Sequence, residues 1–160
     1  MTPPPPARVV TSCCGRFWIF DQARELARHG MLHQLITDYP RSWPARYGVP
    51  EDKVHPLVLS GVVKHGLARI GRWLPAGMRD ESTRWIHDTF SRRLAGLIPR
   101  DADYFIGLSS YCLEALRASR EAGIPCAVEH GSCHQLDERE WIADEAARWG
   151  LPARGGAVAD

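Results

Sequence analysis

The sequence contains no C-x-x-C pair, no G-x-G-x-x-G or Walker fingerprint and no G-x-S-x-G elbow. Those absences remove the standard zinc, dinucleotide, P-loop and hydrolase signatures. No uncharged apolar run approaches the roughly 18 residues that a membrane span requires. The N-terminus, MTPPPPARVV, lacks the basic start and apolar stretch of a signal peptide, which predicts a cytoplasmic protein. Net charge is only +1, so nothing global argues for nucleic acid. Cysteine is odd in number: Cys13, Cys14, Cys112, Cys126 and Cys133 do not form a secreted disulfide framework. Adjacent Cys13 and Cys14 in a strand point to opposite faces, so they are read as small buried hydrophobes rather than a chelating pair.

What is present reads as one α/β domain. A length of 160 residues suits about one domain with a proper core. Pro3 to Pro6 form a stiff leader within residues 1–7. Arg8 to Cys13 reads as strand one, and Phe20 to His29 as helix one, stopped by Gly30. Leu32 to Pro40 begins as strand two and runs into a turn. Val54 to Leu59 is a weaker strand three, because Pro56 interrupts it. Helices are expected over Val62–Leu74 and Glu81–Leu97. Asp103 to Ser110 is a strand, followed by a helix capped by Ser109 or Ser110 and stopped by Gly123. Pro125 to His134 is the last strand with its exit loop, and Gln135 to Trp149 a last helix ending at Gly150. The domain spans residues 8–151, with 152–160 as a tail or the start of a continuation.

Strands alternating with helices predict a Rossmann-like, doubly wound α/β fold with a mostly parallel sheet. In such sheets ligands bind beyond the carboxyl ends of the strands, where strand order switches. With the order 3-2-1-4-5, that crevice lies between strand one and the strand ending at Ser109-Ser110. Three exit loops converge there: Cys14-Gly15-Arg16, Ser109-Ser110 and His130 to His134.

Each loop has two readings. Gly15 either turns a corner or presents backbone N–H groups to a phosphate at the start of helix one. Arg16 either pairs with a phosphate or carboxylate or is simply solvated. In EHGSCH, Gly131 allows close backbone approach, while His134 is either a general acid/base and sugar-hydroxyl partner or the cap of the next helix. Metal binding by His130, Cys133 and His134 matches no standard spacing, and no metal is expected. Between Arg41 and Arg79, seven basic residues face two acids, Glu51 and Asp52. The helix there groups Val62, Val63, Leu67, Ile70 and Leu74 on one side. It either faces the core or lies on an anionic bilayer.

Taken together, VVTSCCGRFWIFDQARELARHG, LHQLITDYP, YGVPEDKV, DYFIGLSSYCLEALRASREAGIP and EHGSCH resemble the N-terminal domain of glycosyltransferase family 4, from about Arg8 to Leu151. The resemblance implies one half of a GT-B architecture, retaining transfer from a nucleotide-sugar donor to a sugar or lipid-linked acceptor, and no metal or other cofactor. It implies that Gly15 approaches the donor, with Arg16 as a substrate-binding candidate beside it, that Ser109, Ser110, His130, Gly131 and Ser132 line the substrate side, and that His134 contacts the transferred sugar. Strand one ends in a single glycine where many such domains have two, which weakens the phosphate assignment. The family's donor-binding domain has no counterpart before Asp160, so this portion alone is expected to be inactive. The other reading is a stand-alone Rossmann-like binding module without catalysis.

Overall fold

A computed structural model describes residues 4–71, 73, 75–131 and 135–152. Its strands are β1 (Val9–Cys13), β2 (Leu32–Thr37), β3 (Val54–Pro56), β4 (Tyr104–Leu108) and β5 (Cys126–Glu129). The helices are α1 (Ile19–Arg28), α2 (Ser42–Ala45), α3 (Val58–Gly71), α4 (Ala76–Ala95), α5 (Leu113–Glu121) and α6 (Gln135–Arg148), with a 3-10 turn over Glu51–Lys53. The strands form one parallel sheet in the order β3-β2-β1-β4-β5. The fold is therefore α/β and Rossmann-like, as expected, with the switch in strand order between β1 and β4.

Alternation along the strands divides the core in two. Val10 and Cys14 join Ile36, Phe105, Phe90 and Leu94 of α4, and Ala115 of α5 on one face. Cys13, Leu35, Val54 and Leu108 pack with Ile19, Phe20 and Ala23 of α1 on the other. All five residues of β1 are buried, as a parallel strand covered on both sides requires. Cys13 and Cys14 are packing residues on opposite faces, each at most 1% exposed.

The expected glycine stops all occur. Gly30, Gly123 and Gly150 have positive φ, and Met31, Ile124 and Leu151 each donate back to the carbonyl five residues earlier.

Three expectations are corrected. Strand three ends at Pro56 rather than Leu59. Leu57 donates to the Thr37 carbonyl at 2.6 Å, after which Ser60 and Gly61 donate to Leu57 and begin α3. The helix expected over Val62–Leu74 thus starts at Val58, and it is turned differently: Val62 is 62% exposed, whereas Ser60 and Gly61 are buried. Gly61 sets that orientation, because a Cβ there would overlap the Asp38 carbonyl oxygen. Finally, α5 is not capped by Ser109 or Ser110. Cys112 is its N-cap residue, without a side-chain bond, and Ser91 Oγ of α4 accepts the Glu114 N–H at 2.9 Å instead.

The chain divides into two compact units, one ending at Glu129 and the other beginning at His130. In the second, α6 carries its own local bonds: Trp149 Nε1 donates to Glu145 Oε1 at 2.9 Å, and Arg148 pairs with Glu145 at 3.2 Å.

Candidate functional site

The carboxyl ends of β1, β2 and β4 bring together residues far apart in sequence. Parallel pairing sets Ser12 beside Gly107, so Gly15 and Ser110 each lie three residues beyond a paired position. Both have positive φ, +115° at Gly15 and 73° at Ser110. Ser110 is the only such non-glycine residue among those described. A serine held in that region costs of order 1 kcal/mol or more, and such outliers gather at ligand sites and switches. The exit loop is also tied to β5, since the Ser109 N–H donates to the Glu129 carbonyl at 2.9 Å.

Gly15 does not offer a vacant N–H. It donates at 2.7 Å to Oδ1 of Asp38, the residue directly after β2. The other carboxylate oxygen of Asp38 accepts from Lys64 Nζ of α3 and from the Cys14 thiol at 3.7 Å. The Asp38 side chain is 1% exposed and that of Lys64 22%. Burial opposes the Lys64 ammonium, but the hydrogen bond to Asp38 together with the electrostatic pull of Cys14, Asp38 and Tyr39 outweighs that cost and holds its pKa above the usual lysine value. Burial, reinforced by the Asp38 charge, pushes the Cys14 thiol up to about 12. Cys13 is raised further for the same first reason, so neither is a nucleophile.

Arg16 is exposed, and its guanidinium stacks over the Tyr47 ring at 4.5 Å from the centroid. Across the crevice, Glu129 accepts from Trp18 Nε1 and, at 2.9 Å, from Gln22 Nε2. Gln22 Oε1 in turn accepts from Thr11 Oγ1 at 3.0 Å. This chain fixes the first turn of α1 to the middle of β1 and the end of β5.

Ser109 and Ser110 line a cavity of about 320 Å³ together with His87 and Ser91 of α4 and Cys112 and Glu114 at the start of α5. Gly15 and Arg16 are not among its described walls. The His87 ring meets Tyr111 edge-on at 4.3 Å. Burial, with a further push from Lys64, holds the His87 pKa below its usual value and favours the neutral ring.

Of the residues expected at the site, Gly15, Arg16, Ser109 and Ser110 follow neighbouring strands, as predicted. His130 and Gly131 follow directly on β5 in sequence and are exposed. Ser132, Cys133 and His134 lie outside the described residues. Among the described residues, no group of three or more His, Cys, Asp or Glu side chains is placed to hold a metal ion. The sequence reading missed Asp38, Lys64, Gln22 and Glu129. Asp38 carried a signal, a lone acid after the apolar run LHQLIT. Lys64 carried none, because its partner comes from another element.

The fold and these loops define an open Rossmann-like α/β domain with polar side chains gathered at the carboxyl ends of its strands. The sequence matches no protein-family model and no curated protein.

Proposed function

We propose that this chain is the acceptor-side half of a retaining glycosyltransferase, which moves a sugar from a nucleotide-sugar to an acceptor hydroxyl once a donor-binding domain completes the cleft. The observation that carries the reading is the pair of positive-φ turns, Gly15 and Ser110, at equivalent positions past β1 and β4, on either side of the switch point. Gly15 lets the donor's phosphate or sugar approach the backbone closely, and Arg16 supplies a cation beside it. Ser109 and Ser110 offer hydroxyls to the acceptor. The reading also assigns substrate contacts to His130, Gly131 and Ser132 and the transferred sugar to His134. The reaction takes place in the cytoplasm and uses no metal.

The test is a titration of the isotope-labelled chain with uridine diphosphate glucose and, separately, with methyl glucoside, read by amide chemical shifts. Shifts at Gly15, Ser109 and Ser110 at millimolar ligand are expected. Their absence, or shifts confined to other regions, would overturn the reading. The purified chain should transfer no sugar by itself, and robust transfer would contradict the half-site assignment. In a completed enzyme His134→Ala should lower kcat about 100-fold, the scale of a positioned acid/base or polar stabiliser. An unchanged kcat would reduce His134 to a helix-start residue.

One observation favours the second reading, a binding module without chemistry: the Gly15 N–H is already taken by Asp38. That reading expects shifts with the simple sugar and none added by the nucleotide.

A further inference from the structure

The first turns of helix α3 depart from an ordinary surface helix. Three of its polar or small positions turn inward, with Ser60 and Gly61 buried and Lys64 paired to Asp38. Three of its apolar positions face outward: Val58, Leu59 and Val62 are 40%, 59% and 62% exposed, while Val63 and Leu67 are half-buried. Helical spacing sets Arg69 on that same outer face. On α4, which packs against α3, Met78 and Trp85 are each 53% exposed. Leu59 and Trp85 form the rim of a cleft of about 140 Å³ between the two helices, floored by Val63 and Ile86 and bordered by Arg93. A contiguous apolar surface of this kind marks an interaction site rather than chance exposure.

Charge identifies the occupant. From Val58 to Ala95 the sequence carries seven basic residues against three acids, Asp80, Glu81 and Asp88. Arg69, Arg84, Arg92 and Arg93 are exposed. We propose that the outer face of α3 and α4 seats the chain on an anionic lipid bilayer, with Leu59, Val62 and Trp85 entering the headgroup boundary and the arginines meeting lipid phosphates. A second copy fits less well, since a two-fold contact would set this arginine-rich face against itself. Amphipathic helices with aromatic and aliphatic residues beside arginines bind bilayers in this way. The proposal does not rest on the transferase reading.

The experiment is co-sedimentation of the full chain with vesicles of phosphatidylcholine, alone or mixed with phosphatidylglycerol. Binding is expected only to the mixed vesicles and should weaken as salt rises. Leu59→Glu with Val62→Glu should abolish it while circular dichroism stays unchanged, because both side chains are exposed. Arg69→Ala and Arg93→Ala should each lower the partition coefficient about fivefold, which gives an independent readout if the double variant misfolds. Absence of binding to mixed vesicles would overturn the proposal, as would equal binding by wild type and the Leu59/Val62 variant. A concentration-dependent dimer that the same variant dissolves, without vesicle binding, would assign the face to a second copy instead and also overturn it.

Discussion

Lys64→Met tests how the carboxyl end of the sheet is held together. The substitution keeps most of the aliphatic stem and removes the ammonium. Asp38, 1% exposed, is left with only the Gly15 N–H and the weak Cys14 thiol as partners. Removing one partner of a buried ion pair costs about 3–5 kcal/mol, because a charge remains without compensation. Lys64 is 22% exposed, so water reaches the vacated position, and the low end of about 3 kcal/mol applies. For a chain of this size each kcal/mol shifts Tm by about 2–4 °C, so a fall of about 6–12 °C is expected. Asp38→Asn should cost only about 1 kcal/mol, since the amide oxygen still accepts from Gly15 and Lys64 turns to solvent. The double variant should then be more stable than Lys64→Met alone. The pH dependence has a definite sign. The folded pKa of Lys64 lies above its ordinary value of 10.5, so its stabilisation is fully present below 10.5 and lost as pH rises through the folded value. Urea unfolding of the four proteins at neutral and strongly alkaline pH measures every term. A Lys64→Met variant within about 0.5 kcal/mol of wild type, the range of an ordinary surface substitution, would refute the reasoning.

Three further outcomes follow from the packing. Gly61→Ala should lose about 1–3 kcal/mol in urea unfolding, since its Cβ would meet the Asp38 backbone oxygen, which cannot move aside as a side chain would; an unchanged midpoint would show that α3 docks differently. Ser91→Ala should cost about 1 kcal/mol by leaving the Glu114 N–H without its acceptor, and Ser91→Thr should restore most of that loss. Cys13 and Cys14, buried and with raised pKa values, should resist iodoacetamide in the native protein and react fully in denaturant, as peptide mapping by mass spectrometry would reveal; rapid native labelling of Cys14 would contradict its placement.

Much of the fold was legible because local patterns agreed with the tertiary structure. The run DYFIGL had to be a buried strand, and Gly30, Gly123 and Gly150 stopped helices at the positions where a left-handed residue was required. Alternation of strands and helices implied a parallel sheet, and the common doubly wound order 3-2-1-4-5 is the one the strands adopt. The outward turn of Val62 on α3 was not legible. Grouping Val62 with Val63 and Leu67 on one side is sound for an isolated helix, and the face turned inward in the fold depends on Gly61 meeting the Asp38 carbonyl, a contact 23 residues back in sequence. The turn at Ser42–Ala45 was hidden by Pro44, although that residue falls in a first turn where no N–H is needed. At the candidate site, the backbone positions Gly15, Ser109 and Ser110 could be read from strand ends. Their support by Asp38, Lys64 and Glu129 could not, because side-chain pairing between elements leaves no periodic trace.

The position of β1 at the centre of the sheet has a kinetic side. Its two neighbours arrive at very different times: β2 lies within one helix of it, whereas the Arg8 N–H meets the Asp103 carboxylate across 95 residues, where β4 begins. During synthesis β1, β2 and β3 emerge with the β4-facing edge of β1 still open, and that edge carries the apolar VVTSC. An open, apolar edge recruits other strands, and closing a long loop before any pairing is gained slows the search. Chains interrupted before Tyr104 should therefore associate through β1, and the rate at which full chains escape association should be set by the docking of β4.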